Sequence, residues 1–201
     1  MSDSTANATV GAVILAGGLA RRMGGVDKGL VMLAGKPMVQ HTLETLRPRV
    51  ASIIINANRN TGDYEKFGVP VVADRHAGHL GPLAGLSAAI SALETDYVFM
   101  CPCDSPFLQI ALFDALTSGC IDSNADLAVP YDGERLQPVF CVVHRRVQSS
   151  LDRFLESGER KIDRWFSSHT VQQVRAEAFS ESFRNINTEE ERLLAEQTIN
   201  A

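Results

Sequence analysis

The chain has 201 residues, of which 45% are hydrophobic and 21% are charged, and its formal net charge is −5. This length accommodates one domain with a sizeable core, and the composition is that of an ordinary globular protein. The acidic balance argues against a nucleic-acid-binding surface, and no apolar run approaches the length of a membrane span.

The beginning of the chain and its cysteines indicate the compartment. Residues 1–9 are small and polar, without the cationic start and apolar stretch of a signal peptide, so we predict a flexible tail and a single domain over 10–201. The four cysteines contain no C-x-x-C pair and no zinc-ligand spacing. Cys101 and Cys103 lie two apart at the end of a predicted strand, so they face the same side. We expect buried thiols in a reducing cytoplasm.

The first predicted element is a buried strand at residues 12–15, because this short apolar run contains two β-branched residues. A glycine-rich loop follows it, and backbone N–H groups in such a loop can turn toward a polyphosphate. The loop is neither a P-loop, since no Ser or Thr follows Lys28, nor a G-x-G-x-x-G turn. A solvated turn is the alternative. The cations of this loop are Arg21, Arg22 and Lys28.

The remaining predicted elements alternate along the chain. In order they are helix 37–46, strands 50–57 and 69–73, helix 82–93, strand 97–100, helix 109–118, strands 127–129 and 139–143, helices 148–155 and 160–166, strand 171–174 and helix 188–197. Pro37 and Pro82 suit the first turn of their helices. Asn187 and Glu190 have the spacing of a capping box before the last helix.

This alternation predicts an α/β protein of three α/β/α layers with a mostly parallel, Rossmann-like sheet. Such sheets bind ligands beyond the carboxyl ends of their strands. Three polar side chains, Asn56, Asp74 and Asp104, follow apolar strands directly, as the glycine-rich loop does. The strand order itself is not set by the sequence.

Asp104 is the first carboxylate after the strand at 97–100. Mg²⁺ favours one or two carboxylates together with phosphate oxygens, so an aspartate beside a phosphate loop suits it. The alternative role of Asp104 is the cap of a helix after Pro106, since Asp is common at such caps. The alternative interpretation of Lys28 is a solvated lysine in a loop. For Asn56 and Asp74 the alternative is that they are ordinary turn residues after strands.

Short motifs stand in order over nearly the whole chain from about Gly11 onward. They are L-A-G-G at 15–18, R-M-G at 22–24, D-K at 27–28, G-K-P at 35–37, I-N-A-N-R at 55–59, G-P-L-A-G at 81–85, C-P-C-D at 101–104 and N-I-N-T at 185–188. With these motifs the chain resembles the nucleotidyltransferases that join an NTP to a phosphorylated acceptor. Among them it is most similar to the molybdenum cofactor guanylyltransferase (MobA) family.

The resemblance implies a nucleotidyltransferase fold and an activity. A member of this family transfers GMP from GTP to the terminal phosphate of molybdopterin, which forms the guanine dinucleotide cofactor and releases pyrophosphate. It implies that Asp104 binds Mg²⁺ at the triphosphate, that Lys28 contacts the same phosphates, and that Arg22 assists there. These three are the expected catalytic residues.

The resemblance also implies the nucleotide-binding residues. Asn56 and Asp74 match positions that bind the guanine nucleotide. Relatives that use cytidine nucleotides tend to have L-A-A-G at the first motif, so Gly18 favours GTP. The backbone groups expected at the base and ribose belong to Leu15, Ala16, Gly17 and Gly18.

Four further residues have weaker assignments. Asp27 is expected to shape its loop, and Arg135, within residues 132–138, is a candidate contact for the acceptor. Asn185 and Asn187 are candidates for orienting groups near the metal or the acceptor phosphate, although Asn187 is equally a candidate helix cap.

Alternative functions are a molybdenum cofactor cytidylyltransferase, a sugar-phosphate nucleotidyltransferase, and a nucleotide-binding regulatory module without turnover. The chain is short for a sugar-phosphate enzyme, and a module without turnover has no use for both Asp104 and Lys28. We expect GTP and the molybdopterin cofactor as substrates, transient contacts with other cofactor-biosynthesis proteins and acceptor enzymes, and a monomer.

Overall fold

The structure is a computed structural model that describes residues 8–16, 27–75 and 81–199. Its strands are β1 (Val10–Leu15), β2 (Met32–Leu33), β3 (Lys36–Pro37), β4 (Ser52–Asn56), β5 (Val71–Val72), β6 (Tyr97–Pro102), β7 (Leu127–Tyr131), β8 (Cys141–His144) and β9 (Val171–Arg175). Its α-helices are α1 (Met38–Leu46), α2 (Thr61–Glu65), α3 (Pro82–Ala92), α4 (Ile110–Asp122), α5 (Gln148–Glu156), α6 (Ile162–Phe166) and α7 (Glu189–Ile199). Short 3-10 segments lie at Lys28–Leu30, Arg145–Val147 and Glu177–Phe183.

Seven strands form one sheet in the order β5-β4-β1-β6-β8-β7-β9, while β2 and β3 form a separate two-stranded hairpin. Strands β5, β4, β1 and β6 are mutually parallel, and so are β7 and β9. Only β8 runs against both of its neighbours, β6 and β7. The mostly parallel sheet that the sequence predicts is therefore confirmed, with one reversed strand in it.

Helices cover both faces of the sheet. The side chains of strand β1 alternate between the two faces of the sheet. Ala12 and Ile14 pack among the buried side chains of α1, α2 and α4, whereas Val13 packs among those of α3, α5 and α6. A strand that is apolar on both faces requires this double covering, because successive side chains point to opposite sides. The three-layer α/β/α architecture is confirmed.

Among the differences between the structure and the predicted elements, three concern short helices and strands. Residues 58–62, predicted as a polar connection, include the start of helix α2, and the hairpin of β2 and β3 was not predicted. Strand β5 has only two residues, although residues 69–73 were predicted as strand. Short elements of this kind carry too few residues for a periodicity to identify them.

Near the start of the described chain, Thr9 is hydrogen-bonded to Asp96 at the amino edge of the sheet. The backbone N–H and hydroxyl of Thr9 donate to Asp96 Oδ2, at 2.8 and 2.9 Å. Thr9 is thus fixed rather than part of a loose tail, while residues 1–7 lie outside the described ranges. The division into a tail and one domain stays a prediction for them.

The four cysteines are buried and their thiols are free, as predicted. Burial raises the pKa of the Cys101 and Cys141 thiols well above the ordinary value. These groups are therefore neutral and pack as small apolar side chains. Among the described helices, none combines the length and the apolar character that a membrane crossing requires.

Candidate functional site

The carboxyl ends of three neighbouring strands meet in register. Leu15 at the end of β1 lies opposite Asn56 of β4 on one side and Pro102 of β6 on the other. The backbone N–H of Ala16 donates to the carbonyl of Asn56 at 2.8 Å, and that of Cys103 donates to the carbonyl of Leu15 at 3.0 Å. The residues that follow these strands are therefore brought to one edge of the sheet.

A charged cluster lies at this edge. The ammonium of Lys28 donates to Asp104 Oδ2 at 2.9 Å and to Asn187 Oδ1 at 2.5 Å. The side chains of Lys28 and Asp104 are 20% and 16% exposed, so a ligand can reach them although most of their surface is shielded from water. Residues from three distant segments thus converge on one ammonium group.

Asn187 is part of this cluster rather than a helix cap, and the predicted capping box of Asn187 and Glu190 is wrong. The box lies one residue later, where Thr188 Oγ1 accepts from the N–H of Glu191 at 3.2 Å and Glu191 Oε2 accepts from the N–H of Thr188 at 3.0 Å. Because Thr188 caps α7, the side chain of Asn187 is left to bind Lys28. The Thr-x-x-Glu pattern at 188–191 is the sequence signal that identifies this box.

The segment that carries Asn187 is tied to the segment after β6. The backbone N–H of Ile186 donates to the carbonyl of Asp104 at 2.9 Å, and Ser105 Oγ donates to Asn185 Oδ1 at 2.5 Å. Ile186 is buried in a small apolar cluster with Leu33. Asn185 therefore holds this segment in place through Ser105, one residue away from the charged cluster.

A second polar cluster lies on the β4 side of the same edge. Asn56 Nδ2 donates to Asp74 Oδ1 at 3.0 Å and to the carbonyl of Val72 at 3.2 Å. Asn58 makes a reciprocal pair with Asp74, since its Nδ2 donates to Asp74 Oδ2 at 2.8 Å and its Oδ1 accepts from the Asp74 N–H at 2.8 Å. Both oxygens of the Asp74 carboxylate are thus oriented. Asn58 was missed as a site residue, because an Asn after a strand is typical of any turn.

Gly85 of α3 approaches this cluster closely. A Cβ at this position would lie 2.4 Å from Asn56 Oδ1 and 2.6 Å from Leu15 Cδ2. Asn56 has little room to move away, because it is buried and its amide is held by Asp74 and Val72. The absence of a side chain at Gly85 is therefore a steric requirement of the site.

We expect Gly85→Ala to lower the free energy of unfolding by about 1–3 kcal/mol, the usual cost of overpacking. Chemical denaturation measures this loss. Gly62→Ala is the matched control, since Gly62 lies in a helix and has no atom within 4 Å of the position of an added Cβ. It should be neutral or stabilising by up to about 1 kcal/mol. Equal stability of the two variants would contradict the close approach at Gly85.

Some of the expected site residues lie outside the part of the chain that the structure describes. Gly17, Gly18 and Arg22 lie outside the described residues, while Leu15 and Ala16 stand at the site edge as stated above. Asp27 is buried and accepts hydrogen bonds from Asn60 and Tyr64, which agrees with its expected role in shaping the loop.

The loop after β7 lies at the same edge of the sheet, because β7 runs in the direction of β6. Hydrogen bonds from the backbone N–H of Arg135, the side chain of Gln137 and the backbone N–H of Glu134 lower the pKa of Asp132 to about 2. This carboxylate thus organises the turn. Arg135 itself is exposed there, and its contact with an acceptor stays a prediction.

The metal-binding side chains at this edge suit a metal ion whose remaining ligands come from the phosphates of a bound substrate. The described residues contain no group of three or more His, Cys, Asp or Glu side chains able to hold a metal ion. Asp104 supplies one carboxylate. Mg²⁺ keeps several waters and is usually bound by one or two carboxylates plus phosphate oxygens, so this sparse set fits Mg²⁺.

Comparisons with known proteins agree with this geometry. The model of the MobA-like NTP transferase domain matches residues 12–174. A molybdenum cofactor guanylyltransferase of Shewanella sp. strain MR-4 is 47% identical over 189 residues, which cover 93% of this chain and 96% of that protein. The protein of the same name from Shewanella putrefaciens is 44% identical over 183 residues, covering 91% of this chain and 94% of that one.

Solved structures share the fold. Molybdopterin-guanine dinucleotide biosynthesis protein A from Archaeoglobus fulgidus superposes with a TM-score of 0.80 at 24% identity, covering 94% of this chain and 98% of that one. A 4-diphosphocytidyl-2C-methyl-D-erythritol synthase from Anaerococcus prevotii gives 0.76 at 14% identity over the full length of both chains. At such identities a likeness establishes the fold alone. The match of the domain model and the identity to the Shewanella proteins go further, and on them the chain belongs to the MobA-like NTP transferase family.

Proposed function

We propose that the protein transfers GMP from GTP to the terminal phosphate of molybdopterin, forming the guanine dinucleotide cofactor and releasing pyrophosphate. The observation that carries this proposal is the convergence of Lys28, Asp104 and Asn187 at the carboxyl edge of the sheet, beside the pair of Asn56 and Asp74. The names of the Shewanella relatives support the same reaction.

The proposed chemistry is a single in-line displacement at the α-phosphorus of GTP. A phosphate monoester has a second pKa of about 6, so the attacking oxygen is already anionic at neutral pH and needs no general base. Catalysis then consists of positioning and of neutralising charge on the departing pyrophosphate. The ammonium of Lys28 supplies a fixed positive charge for that purpose.

In this proposal Asp104 would hold Mg²⁺, which when bound neutralises charge on the triphosphate. The ion pair with Lys28 balances the Asp104 carboxylate when no ligand is present. Asn187 holds the other side of the same ammonium, so Lys28 keeps a hydrogen-bond partner when Asp104 turns to a ligand.

The base would be read at Asp74. Guanine presents N–H donors, and a carboxylate is an acceptor-only group. Asn56 and Asn58 orient the two oxygens of Asp74, which supports a fixed acceptor at the base. The contributions of Gly17, Gly18 and Arg22 are part of the proposal through the family resemblance alone.

The proposal is tested first by equilibrium binding of GTP, CTP, ATP and UTP, each with Mg²⁺. We expect GTP to bind about tenfold or more tighter than the others, because a well-placed polar pair discriminates bases by about 1–3 kcal/mol. Pyrophosphate release is then measured with GTP and molybdopterin together. It should require both substrates.

A preference for CTP would overturn the guanine assignment and favour a cytidylyltransferase on the same fold. Pyrophosphate release that does not depend on molybdopterin would overturn the assignment of molybdopterin as the acceptor. Omission of Mg²⁺ by chelation, with GTP and molybdopterin present, is the matched control and should stop release. The cytoplasmic location, the monomeric state and the transient partner contacts stay predictions.

A further inference from the structure

A short segment after β4, residues 58–64, connects the two ends of the site. The sequence indicates a polar connection over residues 58–62, but the structure places the first turn of α2 in the segment. Its side chains bond both to Asp27, which precedes Lys28, and to Asp74. We refer to residues 58–64 as the connecting segment.

The contact with Asp27 is buried and consists of two hydrogen bonds. Tyr64 Oη donates to Asp27 Oδ1 at 2.5 Å, and Asn60 Nδ2 donates to Asp27 Oδ2 at 3.0 Å. Tyr64 has no exposed surface and Asp27 is 7% exposed. A carboxylate shielded in this way depends on its donors, because an unpaired buried charge is costly. Its position is therefore set by Tyr64 and Asn60.

The backbone that follows Asp27 rests directly on the Tyr64 phenol. The N–H of Leu30 donates to the carbonyl of Asp27 at 3.0 Å, which closes the 3-10 turn that carries Lys28. A Cβ at Gly29 would lie 2.4 Å from Tyr64 Oη, so the turn contacts the hydroxyl without an intervening side chain. The residues on both sides of Lys28 thus contact Tyr64, while the ammonium of Lys28 is held by Asp104 and Asn187.

Asn60 is held in an unusual conformation to make this contact. Its φ of 51° is left-handed, and its carbonyl accepts from the N–H groups of Asp63 and Tyr64 at the start of α2. Its side chain makes no cap bond with the helix and donates instead to Asp27. A non-glycine residue in this region persists where the surrounding contacts fix it, and such residues cluster at functional sites.

We propose that Tyr64 and Asn60 are positioning residues which, through Asp27, fix Lys28 where it contacts the phosphates of the leaving pyrophosphate. The inference rests on the proposed function only in giving Lys28 a phosphate to bind. A lysine side chain is long and flexible, so its charge is placed accurately only if its backbone is held, and small misplacements of a charged group are costly.

The test is a double-mutant cycle on the binding of Mg²⁺-pyrophosphate, measured by titration calorimetry. The four proteins are the wild type, Tyr64→Phe, Lys28→Met and the double variant. We expect Tyr64→Phe to weaken pyrophosphate binding about 5- to 10-fold in the wild type and less than about 2-fold in the Lys28→Met background. A merely structural role for the phenol would give the same loss in both backgrounds.

Tyr97→Phe is the matched control, because Tyr97 pairs with Val10 at the opposite, amino edge of the sheet and should leave binding unchanged. If Tyr64→Phe does not fold, Asn60→Gly removes the second donor while allowing the left-handed backbone, and it is carried through the same cycle.

The inference would be overturned if Tyr64→Phe and Asn60→Gly had no effect on pyrophosphate binding, or if their effects were equal with and without Lys28. A wild type that binds no pyrophosphate would overturn it as well. A wild type that binds pyrophosphate, but releases none from GTP with molybdopterin, would overturn the proposed function alone.

Discussion

Replacing Asp104 with asparagine is expected to lower kcat for pyrophosphate release by about 10³-fold, the size of effect seen when a principal charge-stabilising group is lost. Asparagine has nearly the shape of aspartate, and its amide oxygen still accepts from the Lys28 ammonium, which lies 2.9 Å from Asp104. The fold should therefore be kept. What is lost is the negative charge that would hold Mg²⁺ at the triphosphate.

The measurement is steady-state turnover over a range of Mg²⁺ concentrations, with thermal denaturation to confirm folding. Asp114→Asn is the matched control, because Asp114 makes an exposed ion pair with Arg49 on the side of α4. Exposed pairs contribute at most about 1 kcal/mol to stability, so this control should keep its activity. Near-normal turnover of Asp104→Asn would show that the metal is held elsewhere.

The edge of the sheet on which the site lies was predictable, since Asn56, Asp74 and Asp104 each follow an apolar run. In a parallel sheet the residues after such runs must come to one edge. The register of Leu15 with Asn56 and Pro102 bears this out. The pattern of apolar strands in the sequence is therefore sufficient to predict the fold class and the edge of the sheet that carries the site.

Contacts between distant segments were beyond sequence reasoning. Asn187 meets Lys28 across 159 positions of chain, and Tyr64 meets Asp27 across 37. Local patterns identify an Asn after a strand or a Tyr in a polar stretch, but the partner of each is set by how helices pack on the sheet. Asn58 and Asn60 were missed for the same reason.

The reversed strand β8 shows a second limit. A strand is predicted at residues 139–143 and is observed at Cys141–His144, but an apolar run is buried equally well in either direction. The direction follows from the connection, since β7 and β8 are joined by a turn with Asp132 and Gly133 rather than by a helix. The whole connection, residues 132–140, is shorter than the crossover of about a dozen or more residues that parallel neighbours need.

Replacing Lys28 with methionine is expected to lower kcat by about 10²-fold, because a single preorganised charge at a departing anion stabilises the transition state by about 3 kcal/mol. Methionine keeps the length of the aliphatic stem and removes only the ammonium. Arg49→Met is the matched control, since Arg49 carries an exposed positive charge just before β4, at the opposite, amino edge of the sheet, and the variant should keep full activity. Turnover is measured as pyrophosphate release with GTP and molybdopterin at saturation.

Lys28→Arg distinguishes a placed point charge from positive charge in general. The ammonium fits between Asp104 Oδ2 and Asn187 Oδ1, at 2.9 and 2.5 Å, whereas a guanidinium is planar and larger. We therefore expect Lys28→Arg to restore less than about a tenth of the lost rate. Full activity of the arginine variant would mean that the site needs only a positive field. In that case the contacts that fix Lys28 from Asn187 on one side and Asp27 on the other would matter for stability and not for the reaction.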